Sequence, residues 1–509
     1  MIHVIQNANQ CAQMALVYDL ALMEDGLNTE IELKLELSPE DLDRFAASGL
    51  LGEPARTEQQ RSVYFDTRGR DLYQSGFTLR IRTVGAARTQ TIKATGPGAS
   101  VFARPEWEQP LSADEPVVDH TTPLAAAFDL EPDDLEPHFT VEVERRTWEV
   151  HQDGTQIEVA LDRGMIASGN RQTAVGEIEL ELKDGDPKAL FTLARRIEAI
   201  VPFRLGVLSK AERGFRLIDA RPIVFKAEPV VLDREMRVTK SFRTIALACL
   251  RHYRLNEDVL RERKNPEALH QVRVALRRLR SAISLYKDML GDEESARING
   301  ELKWLAGVFG KVRDVDVLLT RDPEPELRDR LKTARAARYV EVFEALDGAR
   351  GRALLLDIQQ WLHCGDYLST PPAELRDRPV ADFAEAVLDR ARRKLKKHGR
   401  ALAKVSDEER HEARKDAKKL RYAAEFFAAL FDDKRGTRRH KRFIDAMAGL
   451  QDRLGTLNDL VSGPLVLGEI GLEDHPDAET LVVHADKDKL IDHAQSALDD
   501  VIDAKRFWR

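Results

Sequence analysis

The stretch Glu30-Ile-Glu-Leu-Lys34 alternates charged and apolar residues without interruption. Successive side chains of a β-strand point to opposite faces, so Glu30, Glu32 and Lys34 share one face and the apolar residues share the other. The same alternation recurs in Thr78–Arg82 and in Glu177–Glu181. This pattern predicts a sheet with one apolar face and one face on which acids and bases lie together.

The charged face of these strands carries the side-chain types that bind metal ions and phosphates. Carboxylates at alternate positions can share Mg²⁺ or Mn²⁺, and Arg or Lys on neighbouring strands can bind phosphate oxygens. For any single strand a half-buried sheet with one solvated face is the more common explanation, but four strands of this composition favour a ligand site. The residues concerned are Glu30, Glu32, Lys34, Arg80, Arg82, Glu106, Glu108, Glu177, Glu179 and Glu181.

Strand-like patterns extend from Glu30 to about Arg216, with helical stretches at residues 38–48 and 187–200. Ser38 is the expected N-cap of the first helix. The sequence therefore predicts an α+β domain dominated by antiparallel strands. Residues 221–235, which contain Pro222 and Pro229, are predicted to be a linker, and long amphipathic helices follow.

Charge is distributed unevenly along the 509 residues, although the net charge is only −8. Residues 1–240 carry 28 basic and 40 acidic side chains, whereas residues 241–460 carry 46 basic and 36 acidic ones. A basic block between acidic flanks points to a polyanion as partner of the helical part. The length itself predicts two or three domains.

Cysteine spacing and apolar runs give the only indications of cellular location in the sequence. Cys11, Cys249 and Cys364 are too far apart in sequence for a disulfide framework or a zinc cluster, which predicts a reducing compartment. No apolar run approaches the roughly 20 residues of a membrane span, so no membrane association is expected.

The helical part repeats a basic motif. His270-x-x-Arg273-x-x-x-Arg277-x-x-Arg280 recurs as His411-x-x-Arg414-x-x-x-Lys418-x-x-Arg421. This spacing aligns each set along one helix face, where the like charges repel unless an anion neutralises them. A solvated basic face explains one such helix, but two matched copies favour a binding surface.

A second pair of motifs follows the basic ones, Gly310-x-x-Arg313-Asp314 and Gly455-x-x-Asn458-Asp459, which we interpret as turns. The duplication predicts two related helical bundles. Few aromatic residues interleave with the basic ones, which disfavours single-stranded nucleic acid and favours a phosphate ligand without bases.

Recognisable signatures add to the N-terminal pattern. The ordered set Glu30-x-Glu-x-Lys34, Arg80-x-Arg82, Asp162-Arg-Gly164 and Glu177-x-Glu-x-Glu181 resembles the CYTH or triphosphate tunnel metalloenzyme family over about residues 28–220. The resemblance implies a closed antiparallel tunnel, a Mg²⁺ or Mn²⁺ cofactor and hydrolysis of triphosphates, with Glu30, Glu32 and Lys34 catalytic. It further implies metal ligands among Glu30, Glu32, Glu106, Glu108, Asp162, Glu177, Glu179 and Glu181, and triphosphate contacts from Lys34, Arg80, Arg82, Lys93, Arg145 and Lys210.

The helical part resembles the CHAD family through Leu269–Arg280 and Lys415–Tyr422, and the resemblance covers about residues 236–505. Members of that family bind inorganic polyphosphate in a basic channel between two bundles. Tyr422 is expected to be a core residue. The implied ligand contacts are His270, Arg273, Arg277, Arg280, Lys311, Arg313, His411, Arg414, Lys415, Lys418, Lys419 and Arg421.

Together these features predict an N-terminal extension (1–27), a CYTH tunnel domain (28–220), the linker (221–235) and a CHAD domain (236–509). The expected activity is hydrolysis of inorganic tripolyphosphate, with polyphosphate as a second partner. A non-catalytic polyphosphate-binding protein, an adenylyl cyclase, and a nucleoside or thiamine triphosphatase remain alternatives. The expected location is the cytoplasm, at polyphosphate granules; the oligomeric state stays open.

Overall fold

The computed structural model describes residues 31–94, 106–118, 124, 128, 130–219, 222–481 and 486–509. Glu30 and the predicted extension (1–27) lie outside this part of the chain. Two compact units divide between Pro222 and Ile223. Within the described residues, no helix is both long enough and apolar enough to cross a membrane.

The first unit is built around one antiparallel sheet, in the order β5-β4-β3-β2-β6-β7-β8-β1-β9. This confirms the predicted antiparallel α+β domain. The strands are β1 (Ile31–Glu36), β2 (Arg56–Thr67), β3 (Phe77–Val84), β4 (Ala87–Ala94), β5 (Glu106–Leu111), β6 (Leu135–Gln152), β7 (Thr155–Ser168), β8 (Arg171–Asp184) and β9 (Arg204–Leu205). The helices of this unit are α1 (Pro39–Ala47), α2 (Asp71–Gln74), α3 (Lys188–Glu198) and α4 (Lys210–Ile218).

Local sequence explains the first helix and the first strand. Ser38 is the N-cap of α1 as predicted, and its hydroxyl accepts a hydrogen bond from the backbone N–H of Asp41 at 3.1 Å. In β1 the side chains of Leu33 and Leu35 are buried, while Lys34 points to the opposite, charged face. The alternation read from the sequence is therefore the alternation of the folded strand.

Helix α4 covers part of the charged face. Its Phe215 ring packs edge-on against Phe139 of β6, with ring centroids 5.1 Å apart. A Cβ atom on the neighbouring Gly214 would lie 2.0 Å from a ring carbon of Phe139, so only glycine permits this close approach. The packing holds the first residue of α4, Lys210, above strands β7 and β8.

The second unit is helical, as predicted. Its α-helices are α5 (Val238–Arg263), α6 (Pro266–Leu285), α7 (Lys287–Leu290), α8 (Glu293–Leu319), α9 (Pro325–Asp347), α10 (Ala349–Cys364), α11 (Ala373–Arg376), α12 (Val380–His398), α13 (Asp407–Phe426), α14 (Lys434–Glu469) and α15 (Lys487–Asp503). Val230 and Leu232, which precede α5 in the predicted linker, are buried in the core of this unit. Tyr422 is also buried there, which confirms its predicted core role.

The two copies of the repeat fold alike. The basic motifs lie on α6 and α13, which contact each other, and the second motifs lie on α8 and α14, which also contact each other. The interpretation of Gly310–Asp314 and Gly455–Asp459 as turns is wrong, because both lie inside these long helices. A Cβ atom at position 310 would lie 2.6 Å from a guanidinium nitrogen at the flexible end of Arg273.

Candidate functional site

Three carboxylates converge on the charged face of the sheet, and we call Asp162, Glu177 and Glu179 the carboxylate cluster. Asp162 of β7 lies opposite Glu177 of β8 in the strand register, and both side chains are fully buried. One oxygen atom of each of the three lies within 4.8 Å of the others. A group of oxygen atoms this compact suits a hard divalent cation.

Two lysines reach into the carboxylate cluster. Lys210 Nζ lies 2.6 Å from Asp162 and 3.0 Å from Glu179, and it also pairs with Glu177. Lys34 Nζ donates a hydrogen bond to Glu179 at 2.8 Å. Lys34 lies opposite Glu179 in the β1–β8 register, so the sheet itself brings this pair together.

Arg145 of β6 completes the network from the other side. It binds Asp162 through Nε at 2.7 Å and Glu179 through Nη2 at 2.6 Å. Burial alone lowers the pKa of Arg145, but Glu179 and Asp162 raise it well above its ordinary value. The arginine therefore connects β6 to β8 across β7.

Lys34, Lys210 and Glu179 are held in their charged forms near neutral pH. Burial alone lowers the pKa of Lys34, but the carboxylates of Glu179 and Glu32 raise it well above its usual range. Burial likewise opposes the charge of Lys210, yet Asp162 and its neighbours raise the pKa of Lys210. In turn burial raises the pKa of Glu179, but Lys210 and Lys34 hold it well below its ordinary value. Acids and bases neutralise each other here.

Arg80 and Arg82, the arginine pair, face the same space from β3. Arg80 lowers the pKa of Arg82 to about 10, with further contributions from burial and from Arg145. The Nε atoms of both are buried and lack a hydrogen-bond partner among the described residues. Burial also lowers the pKa of Arg80, but Tyr64 and Glu106 raise it above its ordinary value. Arg82 is therefore under-neutralised, in contrast to the carboxylate cluster.

The remaining predicted acids lie on either side of these groups. On β5, Glu106 pairs with Lys93 at 2.8 Å and Glu108 accepts a hydrogen bond from Thr91 at 3.0 Å. At the other end, Glu32 and Glu181 lie directly opposite each other in the β1–β8 register. Glu30 lies outside the described residues.

In the helical unit, six side chains from three helices form what we call the cation cluster. Its members influence each other's pKa values across α6, α8 and α13. They are His270, Arg273, Arg277, Arg313, Arg414 and Lys418. The structure thus brings both basic motifs together, with Arg313 from the second motif beside the first.

Like charge dominates the cation cluster. Burial, Arg414 and Arg277 lower the pKa of Lys418 to about 7. Burial is also the largest cause that lowers the pKa of Arg273 to about 10, and Arg277 contributes. Burial and Arg313 lower the pKa of His270 to about 4, so this imidazole is neutral at pH 7. The Nε atoms of Arg277 and Arg414 are buried and have no hydrogen-bond partner in the described part of the chain.

Other predicted contacts of the helical unit engage acidic or amide side chains. Lys311 pairs with Glu341 at 3.1 Å and Lys415 with Glu412 at 2.6 Å. Arg421 binds both Glu425 and Gln451 at 2.9 Å. Arg280 Nε donates to Asn299 at 3.2 Å, Lys419 faces Lys394 and Asp416, and His411 is exposed.

Comparisons with known proteins match each of the two units to a domain family. Residues 28–215 match the family model of the CYTH domain, and residues 244–464 match that of the CHAD domain. The chain carries a CYTH domain followed by a CHAD domain.

Relatives differ in how much of the chain they share. The chain is 32% identical over 200 residues to the inorganic triphosphatase of Haemophilus influenzae, which covers 38% of this chain and 56% of that protein. It is 26% identical over 410 residues to an uncharacterised protein of Mycobacterium tuberculosis, with 73% of this chain and 76% of that protein covered. The crystal structure of the CHAD domain from Ricinus communis matches 54% of this chain and 96% of that chain, with 28% identity and a TM-score of 0.46.

The CYTH domain offers oxygen ligands to a divalent metal. The carboxylate cluster is compact enough, but Lys34, Arg145 and Lys210 already neutralise it. Glu32 and Glu181 lie opposite each other in the neighbouring β1–β8 register, where Glu32 pairs with Lys34 and Glu181 with Lys183. These oxygen donors fit Mg²⁺ or Mn²⁺, which prefer such ligands.

Several participating residues are absent from the sequence-based set. Arg213 donates to Glu177 at 3.3 Å, and Tyr64 lies beside Arg80. Arg213 lies three positions after Lys210 on one face of α4, a helix that the sequence pattern did not predict. Nothing in the alternation of β2 distinguished Tyr64, because its role depends on strand pairing.

Proposed function

We propose that the CYTH domain hydrolyses inorganic tripolyphosphate to pyrophosphate and phosphate in a metal-dependent reaction, and that the CHAD domain binds polyphosphate. The observation that supports this most strongly is the convergence of cations and carboxylates on one shielded face of the sheet. A multiply charged phosphate supplies acceptors for the unsatisfied N–H groups of the arginine pair, and its metal ion can bind the nearby carboxylate oxygens.

The cations of the CYTH domain have separate roles in this proposal. The arginine pair and Lys93 bind the phosphate chain, because Arg80 and Arg82 retain unsatisfied N–H groups and repel each other without an anion. Lys34, Arg145 and Lys210 are held rigidly by the carboxylate cluster, so they offer positive charge without reorganisation when the substrate binds.

Metal ligands come from the carboxylates at the β1–β8 pair. We assign Glu32 and Glu181 this role, with Glu30 and the carboxylate cluster contributing, and Glu106 and Glu108 available to a second ion. When bound, Mg²⁺ or Mn²⁺ neutralises developing charge and activates a water molecule for attack on the terminal phosphorus. Lys34 stays ionised throughout, since Glu179 and Glu32 raise its pKa.

The relative from Haemophilus influenzae supports the choice of substrate, because its name is inorganic triphosphatase. This chain spans 56% of that protein's length, so the match concerns the shared part. The predicted contact residues of the charged face are Arg, Lys, Asp and Glu, the side chains that bind phosphates and metal ions.

For the CHAD domain, the support is a cation cluster in which burial and like charge lower several pKa values. A polyphosphate chain relieves that repulsion along its whole length. The cluster and the flanking Arg280, Lys311, His411, Lys415, Lys419 and Arg421 form the proposed contact surface. We further propose a cytoplasmic location, at polyphosphate granules.

A phosphate-release screen tests the activity. Purified protein with Mg²⁺ or Mn²⁺ is offered tripolyphosphate, ATP, thiamine triphosphate and long-chain polyphosphate. The expected result is fastest release from tripolyphosphate and none after chelation of the metal. Faster release from ATP or thiamine triphosphate would support a nucleoside or thiamine triphosphatase instead. If no substrate released phosphate, the alternative of a non-catalytic polyphosphate-binding protein would be favoured.

A further inference from the structure

The second motif of each repeat ends in an aspartate, and the proposed function gives neither aspartate a role. Gly310 and Asp314 lie on α8, and Gly455 and Asp459 occupy the same relative positions on α14. A carboxylate within a surface built to bind an anion opposes that binding. Its recurrence in both repeats requires a physical explanation.

Packing places Asp314 next to the cation cluster. Arg273 Nη1 donates to the carbonyl of Ala306 at 3.2 Å and approaches the bare Cα of Gly310. Ala306, Gly310 and Asp314 are spaced by four residues, so they share one stripe of α8. Asp314 therefore continues the surface on which the Arg273 guanidinium lies, and its charge raises the pKa of Arg273 against the effect of burial.

Asp459 has the matching position in the second repeat. Gln451, Gly455 and Asp459 form the equivalent stripe of α14, and Gln451 accepts a hydrogen bond from Arg421 at 2.9 Å. Asp459 raises the pKa values of Arg414 and Lys418 against burial. Each basic helix thus faces a neighbouring helix that has an aspartate at the last position of the second motif.

We propose that Asp314 and Asp459 are matched internal counter-ions that limit how tightly the cation cluster binds a polyanion. The inference rests on the proposed polyphosphate binding. Each carboxylate offsets part of the repulsion among the arginines in the free protein, and each repels a phosphate chain that enters. Removal of either charge strengthens polyanion binding.

Charge-neutral, nearly isosteric variants test this in the full-length protein. We expect Asp314→Asn and Asp459→Asn each to tighten binding of long-chain sodium polyphosphate by about three- to tenfold at low salt, and the gain to shrink as salt rises. The double variant should combine both gains. Asp329→Asn is the matched control, because Asp329 is exposed and pairs with Lys332 on its own helix; its affinity should equal that of the parent.

Arg273→Glu/Arg414→Glu, measured alongside, separates the possible failures. If the parent binds polyphosphate and this charge reversal abolishes binding, unchanged or weaker binding in the aspartate variants overturns the counter-ion inference alone. If the parent does not bind, both proposals fall. The measurement is repeated with Mg²⁺. If the aspartate variants bind more weakly than the parent only when Mg²⁺ is present, the inference is also overturned, because the aspartates would then hold a cation that bridges to the phosphate chain. Asp314→Ser and Asp459→Ser, with helix content checked by circular dichroism, repeat the test should an Asn variant misfold.

Discussion

The two charged sites of this protein shift the pKa values of their lysines in opposite directions. In the sheet, Lys34 and Lys210 lie among carboxylates, and their pKa values are raised. In the helical unit, Lys418 lies among arginines, and its pKa falls to about 7. Burial disfavours the lysine cation in both units; carboxylates outweigh this effect in the sheet, whereas arginines add to it in the helical unit.

This difference matches the tasks proposed for the two sites. A site that performs chemistry gains from charges fixed in advance, because no reorganisation is then needed as the transition state forms. A site that holds a long anion gains from cations that lack partners, because the ligand relieves their repulsion. The arginine pair combines both features, since it lies beside the neutralised network and has unsatisfied N–H groups.

Glu32→Ala is expected to have the largest effect and to separate the two units. Loss of a proposed metal ligand should reduce phosphate release from tripolyphosphate by about 100- to 1,000-fold. Polyphosphate affinity of the helical unit should stay unchanged. Glu142→Ala is the control, because Glu142 is exposed and pairs with Arg61. Full activity of Glu32→Ala would contradict the catalytic assignment.

Lys210→Met tests whether the carboxylate cluster depends on the protein's own cations for its stability. The variant leaves Asp162 and Glu177 buried with one cation fewer, which should destabilise the sheet by about 3 kcal/mol. Hydrogen exchange of backbone amides in β7 and β8 measures this. Lys188→Met, at an exposed position of α3, should leave exchange unaltered. Unaltered exchange in Lys210→Met would show that the network does not depend on this lysine.

The double variant Arg273→Glu/Arg414→Glu tests the cation cluster of the helical unit. Reversal of two charges in the cation cluster should weaken polyphosphate binding by about 30-fold or more and flatten its salt dependence. Triphosphate hydrolysis should not change. Lys332→Glu/Lys489→Glu makes the same change of net charge at exposed positions. Equal loss in both double variants would indicate a general charge effect rather than a defined surface.

The smallest predicted effect is a pH dependence. A bound polyanion favours the protonated amine of Lys418, whose pKa in the free protein is about 7. Affinity should therefore be highest below pH 7 and fall by up to about tenfold as the pH rises from 6 to 9. Lys418→Met should remove this slope, whereas Lys415→Met, at an exposed position of the same helix, should keep it. A slope that persists in Lys418→Met would assign the titration to another group.

The sequence predicted much of the charged face of the sheet correctly. Glu32, Lys34 and Glu179 share that face because side-chain direction in a strand has a period of two residues, whatever the strand pairs with. Similarly, a helix period aligned Arg273 with Arg277, and Arg414 with Lys418, before any packing was known. The error at Gly310 arose because glycine is typical of turns. In the structure this glycine lies within a helix, and the Arg273 side chain packs against it.

The sequence by itself determined the two domains, the strand and helix faces and the residue types on each, because these follow from local periodicity. Tertiary structure alone decided which charges meet. Lys210 reaches Asp162 because α4 packs on the sheet, and Asp459 faces Lys418 because the repeated helices pack side by side. Electrostatic energy depends on distance and burial, and local sequence patterns give neither quantity for residues that are far apart in the chain.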